Sequence, residues 1–547
     1  MFKNTSQIYF ISVWVIIFCL LIIPNISKAQ EVPVPQNHLV NKFIVRHITL
    51  GNIAQKNLGV RPFTYSNVRK MLNQLSIISN NLSNKDKKLL QRFSSEFSIA
   101  QFDKNIEFPL GKKNLKNVTN SFFDKYRLDE PEPHFISYKD TSTYAWANLS
   151  ETARLEVIDE SIYRRFTDNV SILGSISEQL SFYVNFSMNR FVGDSSLVYE
   201  IEEFKNEDHP YFDFANWTLW YQSNASFHIA TKYGNFQLGK TPVIWGFSPN
   251  NSAILSGAAQ TFPFINYSFT NKYIGFHFLH GSLLTYESSL IHELEEPSQK
   301  YIAAHRIEFY PNEDLTLSFN EMVIYGNRPF EVEYLIPVNF YWPAEHNQGD
   351  KDNLLMALDI NWRIKPGLIW YNTLFWDELA WEKILTKWWA NKFIFQGGLH
   401  WTSKSNPLLP DLRVEATVSR PWTYTHDDIV NSYTSAGIGL GLPQGPNSQS
   451  LLIEVGFWPS YRWHLNISSM VMKKGLGLGS APLDNYNLRD RDLDDNTPYL
   501  LGEIQNTTEI QLETNYSINR IINLFSLISI KYPNSEYGGY LGITIDW

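Results

Sequence analysis

The sequence predicts an all-β transmembrane fold: an antiparallel outer-membrane β-barrel of about 18 strands behind a small N-terminal α-helical periplasmic unit. Three observations carry this expectation. Apolar and polar residues alternate with a period of two from about residue 150 to the end. Tight turns alternate with long connections over the same stretch. Aromatics make up 15% of the chain, with 17 Trp, 29 Tyr and 36 Phe, as two interfacial girdles require. A mean hydropathy of −0.25 leaves room for polar lumen positions.

Residues 1–29 read as a secretory signal peptide. Lys3 is the positive end, Ile8 to Ile23 the apolar core, and Ser27, Lys28 and Ala29 a small-x-small cleavage site. The mature chain is then expected to start at Gln30. The apolar run, about 16 residues, is short for a spanning helix. The one cysteine, Cys19, falls in this leader, so the mature chain is expected to carry no disulfide and no cysteine metal site. No later stretch is apolar enough for a transmembrane helix. The net charge of −9 argues against nucleic acid as a partner.

Residues 30–110 are assigned to a periplasmic helical region, 111–133 to a linker and 134–547 to the barrel. Val68, Met71, Leu72 and Leu75 have helical spacing behind a Ser66 cap. Ser83 caps a second helix bearing Leu89, Leu90, Phe93 and Phe97. Leu39 to Ile48 supplies another.

In the barrel region, Val184 and Phe186 alternate with Tyr183, Asn185 and Ser187. Leu412, Val414, Ala416 and Val418 alternate with Arg413, Glu415, Thr417 and Ser419. Such polar partners suit a wet lumen better than the gap between two soluble sheets. Tight turns are expected at Gly234-Asn235, His280-Gly281, Pro311 to Asp314, Pro366-Gly367 and Pro459-Ser460. Long connections are expected at 246–263, 292–303, 326–352, 379–391, 424–448 and 472–504. The last strand ends Leu541, Ile543, Ile545, Trp547 on one face, an aromatic-terminated closing strand.

Enzyme signatures are missing: there is no Gly-x-Ser-x-Gly, no phosphate loop and no His-Glu-x-x-His. The run Asp490 to Asn496 fails as a calcium loop, with Asp495 where Gly is needed and Leu501 where Glu is needed. His292 to Glu296 reads as a charged loop. No catalytic residue, cofactor or metal is therefore expected. Aromatic clusters edged by charge remain: Tyr341 and Trp342 with Glu345, Trp388 and Trp389 with Lys383, and Tyr424 with His426. Sugars present C–H faces and hydroxyls, which such platforms suit. The competing role for the same aromatics is membrane-interface anchoring.

The stretch 236–264 organises the rest. A strand through Phe236 and Leu238 ends in Trp245, Gly246, Phe247, Ser248 and Pro249, which cannot continue it. Gly permits a reversal and Pro fixes it, so the loop is expected to fold inward as a plug. Lys240, Arg306, Glu321 and Arg420 lie on or beside strands and are candidates for lumen ion pairs that pin it.

The order of these elements resembles the capsule-assembly Wzi family of outer-membrane β-barrels. The resemblance rests on Lys240, Trp245-Gly246, the Leu255 to Ala259 segment and Phe262-Pro263-Phe264, then Arg306 to Phe309, Asn320 to Gly326, Tyr334 to Pro337 with Phe340-Tyr341, and Glu415 to Tyr424. It covers the chain from about residue 35. Lys240 stands where the family has arginine. The resemblance implies a helical bundle at the periplasmic mouth and a non-enzymatic surface protein that retains or assembles capsular polysaccharide or exopolysaccharide. An outer-membrane channel or porin is the alternative, and a surface component of adhesion or gliding motility is a third. Outer-membrane lipid, the barrel assembly machinery and surface polysaccharide are the expected partners.

Overall fold

The computed structural model describes residues 31–98, 126–140, 143–158, 161–177, 179–193, 212–214, 217–285, 298–378, 381–384, 386–533 and 536–547. The leader, most of the linker and the 292–296 segment lie outside these residues.

Period-two alternation builds 18 barrel strands, all paired antiparallel and closed. They are β1 Tyr144–Ile158, β2 Ser161–Ser175, β3 Leu180–Val192, β4 Trp217–Thr231, β5 Gly234–Lys240, β6 Pro263–Thr270, β7 Ile274–Leu283, β8 Lys300–Asn312 and β9 Leu315–Gly326. They continue as β10 Asn353–Lys365, β11 Leu368–Glu378, β12 Lys392–Thr402, β13 Asp411–Ser419, β14 Ser448–Ser460, β15 Trp463–Gly475, β16 Ile504–Ser517, β17 Ile522–Tyr532 and β18 Glu536–Asp546. Closure is made by β18 on β1, in the register Leu541 to Leu155 and Asp546 to Ser150. Trp547 extends it: its N–H donates to the Leu149 carbonyl at 2.6 Å, and its carbonyl accepts from the Leu149 N–H at 3.0 Å.

One expected turn is not a turn. His280 and Gly281 lie inside β7, and the reversal comes earlier, at 271–273. Asn271 makes it: its side-chain oxygen accepts from the Tyr273 and Ile274 amides. The long connections cluster at one end of the barrel and most of the short turns at the other.

Outward positions are apolar and open, as at Val184, Phe186, Ile510 and Leu512, while inward ones such as Glu415 and Thr417 are buried. Near the short-turn rim the outward face carries Tyr233, Phe236, Tyr273, Trp362, Trp401, Trp463 and Tyr516, an aromatic girdle. No helix among the described residues is long and apolar enough to cross a membrane, and barrels do not need one.

Helices α1 Leu39–Thr49, α2 Tyr65–Ile77 and α3 Asn84–Glu96 form the N-terminal unit. The cap of α2 is Thr64, whose hydroxyl accepts from the Asn67 amide; Ser66, the sequence expectation, lies buried within the first turn. Ser83 caps α3 as expected. The unit enters the barrel from the short-turn end: Phe43, Phe93 and Leu89 share one core with the lumen residues Tyr371, Trp458 and Phe247. Charge fastens it. Arg46 binds Asp86 and Thr402, Arg92 donates to the Tyr461 carbonyl at 2.8 Å, and Arg520 donates to Glu96 at 2.6 Å.

Candidate functional site

The lumen is filled in tiers. Above the helices, the 241–262 connection folds inward. Trp245 is fully buried and exchanges backbone bonds with Leu255. Gly246, at φ 117, turns the chain so that its amide reaches the Gly59 carbonyl at 2.9 Å. Residues Val60 and Arg61 pair with Trp245 and Ile244, which stitches plug to helical unit. The Arg61 guanidinium donates to the carbonyls of Gly246 and Ser248, at 2.9 and 2.6 Å.

A third tier comes from the 420–447 connection. Tyr424 and Tyr433 stack and donate to the carbonyls of Ala253 and Ile254, at 2.5 and 2.7 Å. Trp422 and Tyr424 both take positive φ, 68 and 74 degrees, a strained reversal for bulky residues. Two hydrogen bonds from backbone amides hold it: the Trp422 amide donates to the Gly479 carbonyl, and the Tyr424 amide donates to the Asp377 carboxylate at 2.6 Å.

Two charge clusters back the plug. Arg306 is fully buried on the lumen face and binds Glu308, Asp359, Asn320 and Ser318, with the Phe247 ring 5.3 Å away. Glu415 accepts from Tyr371 at 2.6 Å and from the plug's Ser248 at 3.1 Å. The other ion-pair candidates lie elsewhere. Lys240 and Glu321 are on the outward face, because strand register puts them out of phase with the lumen positions Gly239 and Asn320. Arg420 sits at the head of β13, where it donates to the Trp388 carbonyl and lies 5.2 Å over the Tyr499 ring.

Glu321 has a different task. It lies 2.9 and 2.8 Å from the Tyr341 and Trp342 amides, so its carboxylate caps a short helix, α4 Tyr341–Asn347, from the barrel wall. The 327–352 connection thus runs down the outer wall. Tyr334, Tyr341 and Ala344 pack there on Ala303, Val323 and Tyr325.

From the long-loop rim down the outer wall as far as Met356, opposite Glu321, a groove of about 1020 Å³ opens between this connection and its neighbours. Leu354, Met356, Trp376 and Asp377 line it from the ends of β10 and β11; Arg328, Trp342, Glu345 and His346 line one bank; Trp388, His426, Asn431 and Tyr486 line the other. The aromatic bank is braced. The Trp389 ring lies 5.3 Å from Tyr486, with the Arg489 guanidinium 3.7 Å above it. Lys383 pairs with Asp495 at 2.6 Å and reaches over Trp388. His426 accepts from the Asp428 amide, and burial lowers its pKa below the ordinary value. Burial, reinforced by Asp350, pushes Glu345 up to about 7.

Two acceptors on residues that line this groove have no hydrogen-bond partner among the described residues. They are Oδ1 of Asp377 and Oδ1 of Asn431, both on buried side chains. Each residue is otherwise fixed: Asp377 by the Tyr424 amide, and Asn431 by its donation to the Lys351 carbonyl at 2.8 Å.

Of the glycan candidates, Trp342, Glu345, Trp388 and His426 meet in the groove, although they come from three different connections. Trp389 stands behind it as a brace. Tyr341 and Tyr424 are fully buried, one on the outer wall and one in the plug, so neither presents a face to a ligand. Sequence reading missed Trp376, Asp377, Asn431 and Tyr486. Trp376 reads only as an outward strand position, and Tyr486 lies in a connection noticed only for its acidic run.

No family model and no curated protein matches the chain. Its structure is similar to that of Wzi of Escherichia coli, described as an outer-membrane protein involved in group 1 capsule assembly and a carbohydrate-binding β-barrel. The TM-score is 0.59 at 13% identity, over 94% of this chain and 99% of that one. OprD of Pseudomonas aeruginosa aligns over 74% of this chain and 95% of its own, at 9% identity and a TM-score of 0.41. The chain therefore has a Wzi-like fold. With its closed ring, apolar outward face and aromatic girdle, it is an outer-membrane barrel.

Proposed function

We propose that this barrel is a non-enzymatic glycan-binding protein that retains or helps assemble capsular polysaccharide or exopolysaccharide at the cell surface, with the rim groove as its binding site. The observation that carries the reading is the pairing of braced aromatic faces with two buried, unpartnered acceptors. Aromatic faces accept the C–H side of a sugar ring. A lone acceptor in a fixed, buried place rewards a hydroxyl donor and penalises a ligand without one. The filled lumen supports the same reading against a channel, because three tiers of packed chain cross the path that a solute would take.

The test is calorimetric titration of the purified barrel with polysaccharide prepared from the producing cells. Trp388→Ala combined with Tyr486→Ala should weaken binding about tenfold or more, equivalent to ~1.4 kcal/mol. Asp377→Asn, which presents a donor where the groove has an acceptor, should weaken it as well. A wild-type protein that binds no such polysaccharide, or variants that bind it unchanged, would sink the proposal.

A further inference from the structure

The 327–352 connection has two faces of opposite character. Toward the barrel it is pinned: the Tyr341 ring lies 4.6 Å from His305, and Glu321 caps α4. Glu321 is five positions below the strand end at Gly326, so the connection descends roughly 16 Å along the wall at ~3.3 Å per residue. It stops just above Ile307 and Phe309, open apolar residues of the outward belt.

Away from the barrel it is apolar. Between 329 and 345 every exposed residue is apolar: Phe330, Val332, Ile336, Val338, Phe340 and Trp342, with two prolines. Val338 is 78% exposed and Val332 68%. The charged groups of the same segment are turned back on themselves. Arg328 binds Glu331 at 2.9 Å and Asp352 at 2.6 Å, Tyr334 donates to Asp352 at 2.8 Å, and Gln348 donates to Glu333 at 3.3 Å. From His346 on, the exposed residues become polar.

A soluble loop does not expose such a patch without a partner. Its position decides which partner. The patch is continuous with the apolar belt of an outer-membrane barrel, and its polar edge lies on the side of the long-loop rim. We propose that residues 329–343 are a lipid-immersed wedge: an extra apolar layer on the outer wall that enters the acyl region of the outer leaflet, with Trp342 at its inner edge, where the groove ends beside Glu321. The inference rests on the outward belt and the sorting of charge, and it holds whether or not the groove binds a glycan.

The chain's single cysteine is Cys19, so a probe can be placed at one position in a Cys19→Ser background. Val338→Cys is labelled with an environment-sensitive fluorophore, and the barrel is reconstituted into phosphatidylcholine vesicles that carry nitroxide groups on their acyl chains. A second protein carries the label at Phe330→Cys. The control is Leu488→Cys, 67% exposed in the 476–503 connection. Both wedge labels should emit to the blue of the control and be quenched several-fold more strongly. Water-like, unquenched emission at both wedge positions would overturn the proposal. Blue emission without quenching would overturn it too, since another copy of the chain and not lipid would then cover the patch.

Discussion

Arg306 and Glu321 stand one register step apart, and that step decides everything about them. Arg306 pairs across β8 and β9 with Asn320 and faces the lumen; Glu321 is the next residue on β9 and faces out. Period two applied strictly to Leu315, Leu317 and Phe319 would have placed Glu321 outward from sequence alone. What sequence could not supply is the reason a carboxylate is tolerated there, since it caps α4 from 20 residues away and no local pattern links the two. Replacing Arg306 by Ala strips Glu308 and Asp359 of their buried cation. The loss should be about 3–5 kcal/mol, read as a lower thermal unfolding midpoint. Glu345 gives a pH dependence. Its pKa is raised to about 7 from 4.5, by burial and then by Asp350; the His346 ring lies 3.2 Å from its carboxylate. The folded state thus holds a proton that the unfolded state releases. Stability of this connection falls as pH rises from about 4.5 through 7. Amide exchange in 341–352, corrected for its intrinsic pH dependence, should quicken over that window, and Glu345→Gln should flatten the trend. A flat wild-type profile would contradict it.

The N-terminal unit shows how far an element can be read and where reading stops. Helical spacing at Val68 to Leu75 and at Leu89 to Phe97 is local, so it was legible, and so was the Ser83 cap. The cap of α2 was misplaced by two residues because Thr64 and Ser66 offer the same chemistry and only the backbone chooses. Invisible in sequence is the depth of insertion. It depends on lumen residues hundreds of positions away, such as Tyr371 and Trp458. Arg520 anchors the inserted unit to Glu96, and to the backbone carbonyls of Arg92 and Leu128. Burial alone would raise the Glu96 pKa; His38 and Arg520 overcome it and hold the carboxyl well below the ordinary range. Its contribution is therefore present above the ordinary carboxylate pKa and is lost as pH falls through the depressed one. Arg520→Ala leaves Glu96 with His38 as its direct partner and Arg92 nearby, and should cost about 3–5 kcal/mol. The unit should then loosen, with trypsin cutting at Lys87 and Lys88 in the folded barrel, and acid should release it at a higher pH than in the wild type. Unchanged protease resistance would show that apolar packing alone holds it.

At the scale of the whole molecule, strand number and lumen content pull in opposite directions. A ring of 18 strands is wide enough for an aqueous channel. The strand count was legible because alternation and turn length are both local signals, repeated around the ring. The inward loop was legible too, from Trp245, Gly246 and the flanking prolines. Not legible was that it is the middle of three tiers, because the contacts of Tyr424 and Tyr433 with Ala253 and Ile254, and of Gly246 with Gly59, join distant segments. A space of about 290 Å³ remains between the helical unit, the plug and the wall near His228 and His277. These tiers act in series, so the conductance is set by whichever remains. The wild-type barrel in planar bilayers should conduct far less than a general porin. Deleting 248–260 should raise conductance only slightly, because α1 to α3 still close the short-turn end. Deleting 31–98 alone should also leave a poor conductor, closed by the loops above. Both deletions together should raise conductance well above either alone, with the 420–447 tier still narrowing the path, provided the double variant still shows the heat-modifiable migration of a folded barrel. A large increase from the loop deletion alone would mean that the helical unit leaves the lumen once the plug no longer holds it through Gly59 and Arg61.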